Sequence, residues 1–375
     1  MSPPIASPLH RLSALGQSVW IDFLSRYAIR GGGLRALIDE DAVVGATSNP
    51  TIFQKAMSDG HGEYDEQLRT LMGTSALSAD APEQAFWLLA EQDVGEACDV
   101  FRPTWEGGLG RDGYVSIEVD PRLAYDTLAS FREAMRLHEQ IDRPNLLVKI
   151  PATKPGLAAI EDVIAKGRSV NITLIFSLRR YEEVAESYIR GLERLVAEGG
   201  DPRKVQSVAS FFVSRIDTEA DRRLEEIGAP DELKGKLAVA NAKLAYHRYQ
   251  HTFAGPRWQY LAGKGATPQR VLWASTSTKN PAYPDTLYVD ELIGPDTINT
   301  MPEETVRAFQ DHGTPRARLT EGLAEAQAVF ERLAAAGVDY DDVTDTLERE
   351  GVEKFEESFR ELLDSLEQKL GTLVV

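Results

Sequence analysis

Short apolar, β-rich runs recur along the whole chain, each separated from the next by a longer segment of helical period, and this alternation restricts the fold more than any other feature. The runs cover 18–24, 43–50, 114–120, 146–152, 169–177, 205–216, 270–278 and 296–300. Most are apolar throughout, with polar residues gathered at their C-terminal ends. That is the pattern of parallel strands covered on both faces. The segments between them carry helical stripes, such as Ala124, Leu128, Phe131 and Met135, or Val184, Tyr188, Leu192 and Leu195. Eight strand-helix units predict an α/β fold, a closed (β/α)8 TIM barrel.

The chain has 375 residues, and barrels of this kind run to about 250 residues or more as one unit. Residues 1–375 therefore read as one barrel domain with two additions. One is a helical excursion between the second and third strands, over 54–112. The other is a C-terminal helical extension over 319–375, whose acidic stretch 319–370 reads as two or three helices. Pro302 and Gly313 punctuate the passage into it, without a Gly/Ser-rich linker or an internal repeat.

Composition narrows the function classes. A content of 42% hydrophobic and 27% charged residues fits a globular protein. The net charge of −18, spread over many helices, argues against nucleic acid and anionic membrane as partners, so an anionic substrate requires a local basic pocket. Cys98 is the single cysteine and has no internal partner. Residues 1–15 lack a basic segment followed by a long apolar one, and no apolar run approaches the roughly 18 residues of a spanning helix. A cytoplasmic location is the expectation.

Active sites of such barrels lie at the C-terminal ends of the strands, so what each strand presents there is informative. In chain order the ends offer Asp22; Thr47, Ser48 and Asn49; Glu118 and Asp120; Lys149; Asn171 and Thr173; Ser210 and Arg215; and Ser275, Ser277, Lys279 and Asn280. Lys149 stands out because it interrupts the apolar run Leu146-Leu-Val-Lys-Ile-Pro151. A buried ammonium must be paired or neutralised, and a neutral lysine attacks ketones. The alternative is a strand-end lysine that reaches solvent or pairs with a carboxylate. Acids on the adjacent third strand and on the first, ringed by hydroxyls and amides, favour imine formation with carbon-carbon cleavage.

Six segments carry a resemblance: ATSNPTIF from Ala46, SIEVDPRLAYDT from Ser116, LVKIPAT from Leu147, VNITLIFS from Val170, SFFVSRID from Ser210 and WASTSTKNPAY from Trp273. In order and spacing they resemble the transaldolase family, in its longer bacterial form. The resemblance implies that Lys149 forms a Schiff base, that Asp22 moves the proton of the substrate hydroxyl, and that Glu118 with Thr173 manages the catalytic water. It further implies that Asn49, Asn171 and Ser210 bind sugar hydroxyls, that Phe212 forms an aromatic wall, and that Arg215 binds phosphate, with Ser275, Ser277 and Lys279 as additional phosphate contacts. Many members place an arginine shortly after the serine of the seventh strand. Here the cation is Lys279, two residues further on, a point charge rather than a fork.

The implied reaction transfers a dihydroxyacetone unit from a ketose phosphate (sedoheptulose 7-phosphate or fructose 6-phosphate) to an aldose phosphate (glyceraldehyde 3-phosphate or erythrose 4-phosphate), within the non-oxidative pentose phosphate pathway. It implies no cofactor and no metal, sugar phosphates as the only partners, and a monomer or homodimer. A lysine-dependent aldolase releasing free dihydroxyacetone stays open, as does a non-catalytic sugar-phosphate-binding barrel. A metal-dependent isomerase using Glu118, Asp120 and a histidine is disfavoured, because the six histidines do not fall at strand ends.

Three minor motifs carry less. His247 and His251 are spaced as metal ligands on a helix but lack an intervening glutamate, and they continue the stripe of Leu237, Ala240 and Leu244, so they are expected to be structural. Gly31 to Gly33 lack the spacing of a nucleotide loop and read as a turn before a helix. Asn171-Ile-Thr173 matches a glycosylation sequon only by its letters, since it lies in a buried strand.

Overall fold

The computed structural model describes residues 7–58, 62–74 and 81–373. Eight parallel strands, β1 (Gln17–Ile21), β2 (Val43–Ala46), β3 (Tyr114–Glu118), β4 (Leu146–Pro151), β5 (Val170–Ile175), β6 (Ser207–Phe212), β7 (Arg270–Ala274) and β8 (Thr297–Met301), pair in chain order. β8 closes on β1, giving the expected (β/α)8 barrel with helices outside it. Every residue of β4, β5 and β6 is buried, which is why these runs show no polar alternation.

β1 to β7 are shorter at their C-terminal ends than the apolar runs suggest. β2 stops at Ala46, and Asn49 starts the helix Pro50–Ser58 by accepting a hydrogen bond from the Ile52 amide at 3.0 Å. Ser177 caps the helix Leu178–Ala197 in the same way. β6 stops at Phe212, and Arg215 lies in the first turn of the helix Ser214–Glu226 rather than on a strand. β7 stops at Ala274 because Ser275 takes a left-handed φ of 56°, which breaks the ladder. β8 lies one residue later than expected.

The floor of the barrel is packed around Trp20. A Cβ on Gly45 would come 2.4 Å from the indole ring, so this ring fits only over a glycine. Arg270 Nη2 pairs there with Asp112 Oδ1 at 2.9 Å, and Trp20 Nε1 donates to the same oxygen at 3.2 Å. Ser18 completes the network, donating to Asp112 Oδ2 at 2.8 Å and accepting from Arg270 Nη1 at 2.8 Å.

The β2–β3 excursion contains the helices Asp65–Thr74 and Ala81–Gly107 after Pro50–Ser58. Its residues 59–61 and 75–80 lie outside the described residues, as do residues 1–6 of the N-terminal stretch. The C-terminal stretch forms two helices, Leu323–Ala336 and Tyr340–Leu373. The longer one buries Val352, Phe355, Phe359, Leu362, Leu366 and Leu370, a stripe at three- and four-residue spacing. Phe359 meets Phe86 of the excursion edge-on, with ring centroids 5.3 Å apart. Burial of one such aromatic ring contributes about 1.5–3 kcal/mol. Gly351 lets this helix approach the end of β5, where a Cβ would lie 3.0 Å from Leu174 Cδ2.

The histidine stripe is placed differently from expectation. In the helix Leu237–Thr252 the stripe residues Leu237 and Ala240 are buried, together with Ala238, Ala242, Ala245 and Tyr249, but His247 is half-buried and His251 exposed. Their Nε2 atoms lie 3.1 Å apart toward solvent. The helix also packs against Leu323–Ala336, so apolar residues on more than one face obscured the phase of the core stripe. Among the described residues no helix is long and apolar enough to cross a membrane.

Candidate active site

Strand register brings the polar strand ends together. Glu118 of β3 pairs in register with Lys149 of β4, and Lys149 with Asn171 of β5. Lys149 Nζ lies 3.3 Å from Glu118 Oε2, with both side chains buried, and donates to the Ser48 carbonyl at 3.2 Å. The lysine-carboxylate pairing left open by the sequence is therefore the resting arrangement. Asp22, just past β1, accepts a hydrogen bond from Thr47 Oγ1 at 2.6 Å, and that hydroxyl lies 2.8 Å from Thr300 Oγ1. Burial raises the pKa of Asp22, with Lys149 and Thr47 opposing it. Burial likewise raises that of Glu118, again opposed by Lys149. Burial thus makes two acids beside one amine readier to hold a proton than free carboxylates.

β5 contributes through an irregularity. Its register with β6 shifts between Ile172 and Ile175, where Leu174 takes a φ of 60°. Such a bulge re-aims side chains, and Thr173 faces the cavity with its hydroxyl buried and without a protein partner. Among the described residues Glu118 Oε1 and Arg215 Nη1 are likewise buried without a hydrogen-bond partner, and Glu118 Oε2 has only its ion pair with Lys149. Buried polar atoms are seldom left so. Thr173 and Arg215 line the cavity at the mouth, whereas Glu118 lies outside that lining, in a small space against Asn49 and Ile117.

The cavity at that mouth has a volume of about 260 Å³ and is lined by Asp22, Lys149, Thr173, Ser210, Phe212 and Arg215, with Asn49, Ser275, Ser277 and Lys279 completing the wall. The Arg215 guanidinium sits 5.3 Å from the Phe212 ring centroid, and burial lowers its pKa. Lys279 Nζ donates to Ser277 Oγ at 2.6 Å. Burial lowers the pKa of Lys279, offset by Glu304 and reinforced by Arg215 and Lys55. Several positive groups therefore converge on one end of the cavity, the local basic pocket that an acidic chain needs for an anionic substrate.

Asn171 lies beneath the cavity. It is fully buried, donates to Ser116 Oγ at 3.0 Å and accepts from Ser210 Oγ at 2.6 Å. Asp120 is engaged by Arg122, capping the short turn Pro121–Leu123. Lining residues such as Lys55, Glu304 and Phe355 escaped the sequence reasoning because they come from helices, and Thr300 and Pro302 at the end of β8 were missed as well. The nearest signal was Lys55, one turn into the helix that follows Asn49.

A larger cavity of about 680 Å³ occupies the opposite end of the barrel, against Tyr114, Leu146, Ser169 and Gln206 at the starts of strands. Size does not locate the chemistry here. None of the strand-end acids or Lys149 reaches that cavity, whereas the smaller one collects both Lys149 and Asp22.

The fold and the mouth define a (β/α)8-barrel enzyme whose polar groups converge on a buried lysine. The chain belongs to the transaldolase/fructose-6-phosphate aldolase family, whose model matches residues 19–366. It is 54% identical over 368 residues to a transaldolase of Acidothermus cellulolyticus, covering 98% of each chain. It is 53% identical over 365 residues to a transaldolase of Saccharopolyspora erythraea, covering 97% of this chain and 98% of that one. A transaldolase of Parafrankia sp. is 52% identical over 371 residues, with 98% of this chain and 99% of that one covered.

Proposed function

We propose that the protein is a transaldolase that carries a dihydroxyacetone unit on Lys149. The observation that carries this reading is the buried Lys149 amine beside Glu118 and across the mouth from Asp22, two acids whose pKa values burial raises. Glu118, 3.3 Å from the ammonium, is placed to take its proton and free the amine. The amine attacks the C2 carbonyl of a ketose phosphate, and loss of water from the carbinolamine, guided by Glu118 and Thr173, gives the protonated imine. Asp22 removes the C4 hydroxyl proton, the C3–C4 bond breaks, and its electrons pass to the imine as an aldose phosphate departs. The enamine left on Lys149 then attacks a second aldose phosphate, and the steps reverse.

Sedoheptulose 7-phosphate or fructose 6-phosphate would be the donor, and glyceraldehyde 3-phosphate or erythrose 4-phosphate the acceptor. Arg215, Lys279, Ser275 and Ser277 would hold the phosphate, Phe212 would wall the sugar, and Asn49 and Ser210 would meet its hydroxyls, Asn171 acting through Ser210. No metal or cofactor is needed for these steps. Residues 1–375 act as one catalytic unit in this scheme, because the C-terminal helix lends Phe355 to the mouth. A cytoplasmic monomer or homodimer suits the role.

Borohydride reduction in the presence of fructose 6-phosphate, followed by peptide mass mapping, tests the assignment. A three-carbon adduct on Lys149 is expected. An unmodified Lys149 in enzyme that is turning over sinks the mechanism. Release of free dihydroxyacetone at the rate of donor cleavage would instead make the protein an aldolase.

A further inference from the structure

The phosphate end of the mouth is built from two separate pieces of chain. Arg215 lies at the start of the helix Ser214–Glu226, while Ser275, Ser277 and Lys279 lie on the segment that follows β7. Lysine is a point charge on a flexible stem, so its segment must be fixed if both cations are to meet the same phosphate. One end of that segment is tied to the helix, where the Ser214 amide donates to the Ser275 carbonyl at 3.0 Å. The other end is tied by Tyr283, whose hydroxyl donates to Asp221 Oδ2 at 2.6 Å. Asp221 belongs to the same helix as Arg215 and lies outside the cavity lining, as does Tyr283.

The tie is itself buttressed. Asp221 Oδ1 accepts from the Gly235 amide at 2.9 Å. Gly235 has a φ of 64° and lies flat against the Tyr283 ring, where a Cβ would come 2.7 Å from Cζ. Between the two ends Thr278 Oγ1 donates to the Pro284 carbonyl at 2.9 Å, folding the segment back on itself. Lys279 sits inside this closed loop.

We propose that Asp221 and Tyr283 are a positioning pair, holding the Lys279 segment at a fixed distance from Arg215 and so setting a preference for phosphorylated over unphosphorylated aldehydes. The proposal rests on the phosphate role given above to Arg215 and Lys279. Each partner acts through another residue, and the hydrogen bond to a carboxylate is of the stronger kind.

Steady-state transfer from fructose 6-phosphate is measured with glyceraldehyde 3-phosphate and with unphosphorylated glyceraldehyde as acceptors, in wild type, Tyr283→Phe, Asp221→Ala and Asp221→Asn. Tyr283→Phe and Asp221→Ala are expected to raise KM for glyceraldehyde 3-phosphate by about tenfold with kcat retained, leaving KM for glyceraldehyde unmoved. Asp221→Asn, which can still bond the tyrosine hydroxyl, is expected to restore most of that loss. Equal changes for both acceptors, or unchanged KM in all three variants, overturn the pairing. Absence of transfer in wild type overturns the transaldolase reading together with it, whereas normal wild-type transfer with unmoved variants overturns the pairing alone.

Discussion

The two ends of the barrel each hold a buried charge pair, and they treat it in opposite ways. At the floor, Arg270 and Asp112 bond to each other and to Ser18 and Trp20, so the charges are satisfied within the protein. At the mouth, Lys149 and Glu118 Oε2 meet at 3.3 Å, while Glu118 Oε1, Thr173 Oγ1 and Arg215 Nη1 have no hydrogen-bond partner among the described residues. A closed network fixes a structure, whereas an open one keeps polar atoms available for a ligand. On the proposed function, the contrast separates residues held for the fold from residues held for the chemistry.

Substitution on each side should therefore fail differently. Lys149→Ala is expected to lower kcat/KM by on the order of 10⁴-fold, about 5.5 kcal/mol, while leaving the denaturant midpoint near that of wild type. Residual activity above a few per cent, in a transfer assay coupled to aldose phosphate, would break the comparison. Arg270→Ala should do the reverse, costing about 3–5 kcal/mol of stability because Asp112 is left charged and largely buried. Urea unfolding monitored by circular dichroism checks it, and kcat of the folded fraction should change little.

A third buried group, an acid, lies between these extremes, and its effect is confined to one pH window. Asp217, behind the mouth, accepts from Tyr288 Oη at 2.9 Å and the Ala238 amide at 2.7 Å, without a cation, and burial pushes its pKa up from 3.8 to about 7. Because the folded value lies above the unfolded one, the native state holds the extra proton between these limits, so stability falls as pH rises from about 4 to 7. Asp217→Asn should flatten that part of the profile. Thermal midpoints taken across this range would show it, and an unchanged slope would assign the trend to another group.

Strand number and order were legible because the strands are covered on both faces and most read as apolar runs, β8, Thr-Ile-Asn-Thr-Met, being the least apolar. The ends of the strands were less so. The run Phe211-Phe212-Val213 continues apolar across the boundary into the next helix, whose cap position is Val213 and carries no capping side chain. Nor does any sequence signal announce the left-handed Ser275. At the candidate site, the residues on strands were visible because a charge stands out against an apolar background. Phe355 was not, since in an amphipathic helix it is one apolar residue of a regular stripe. Asn171 was visible, but its burial under Ser210 was not, because only the register of β5 on β6 sets it there.

The long final helix has a bearing on how the amine is enclosed. Lys149 and both acids precede it in the chain, yet one wall of their mouth is Phe355, brought to the end of β5 over Gly351. On the proposed function, a chain cut before Tyr340 would keep Lys149 and both acids but lose the Phe355 wall of the cavity, leaving the amine more open to water.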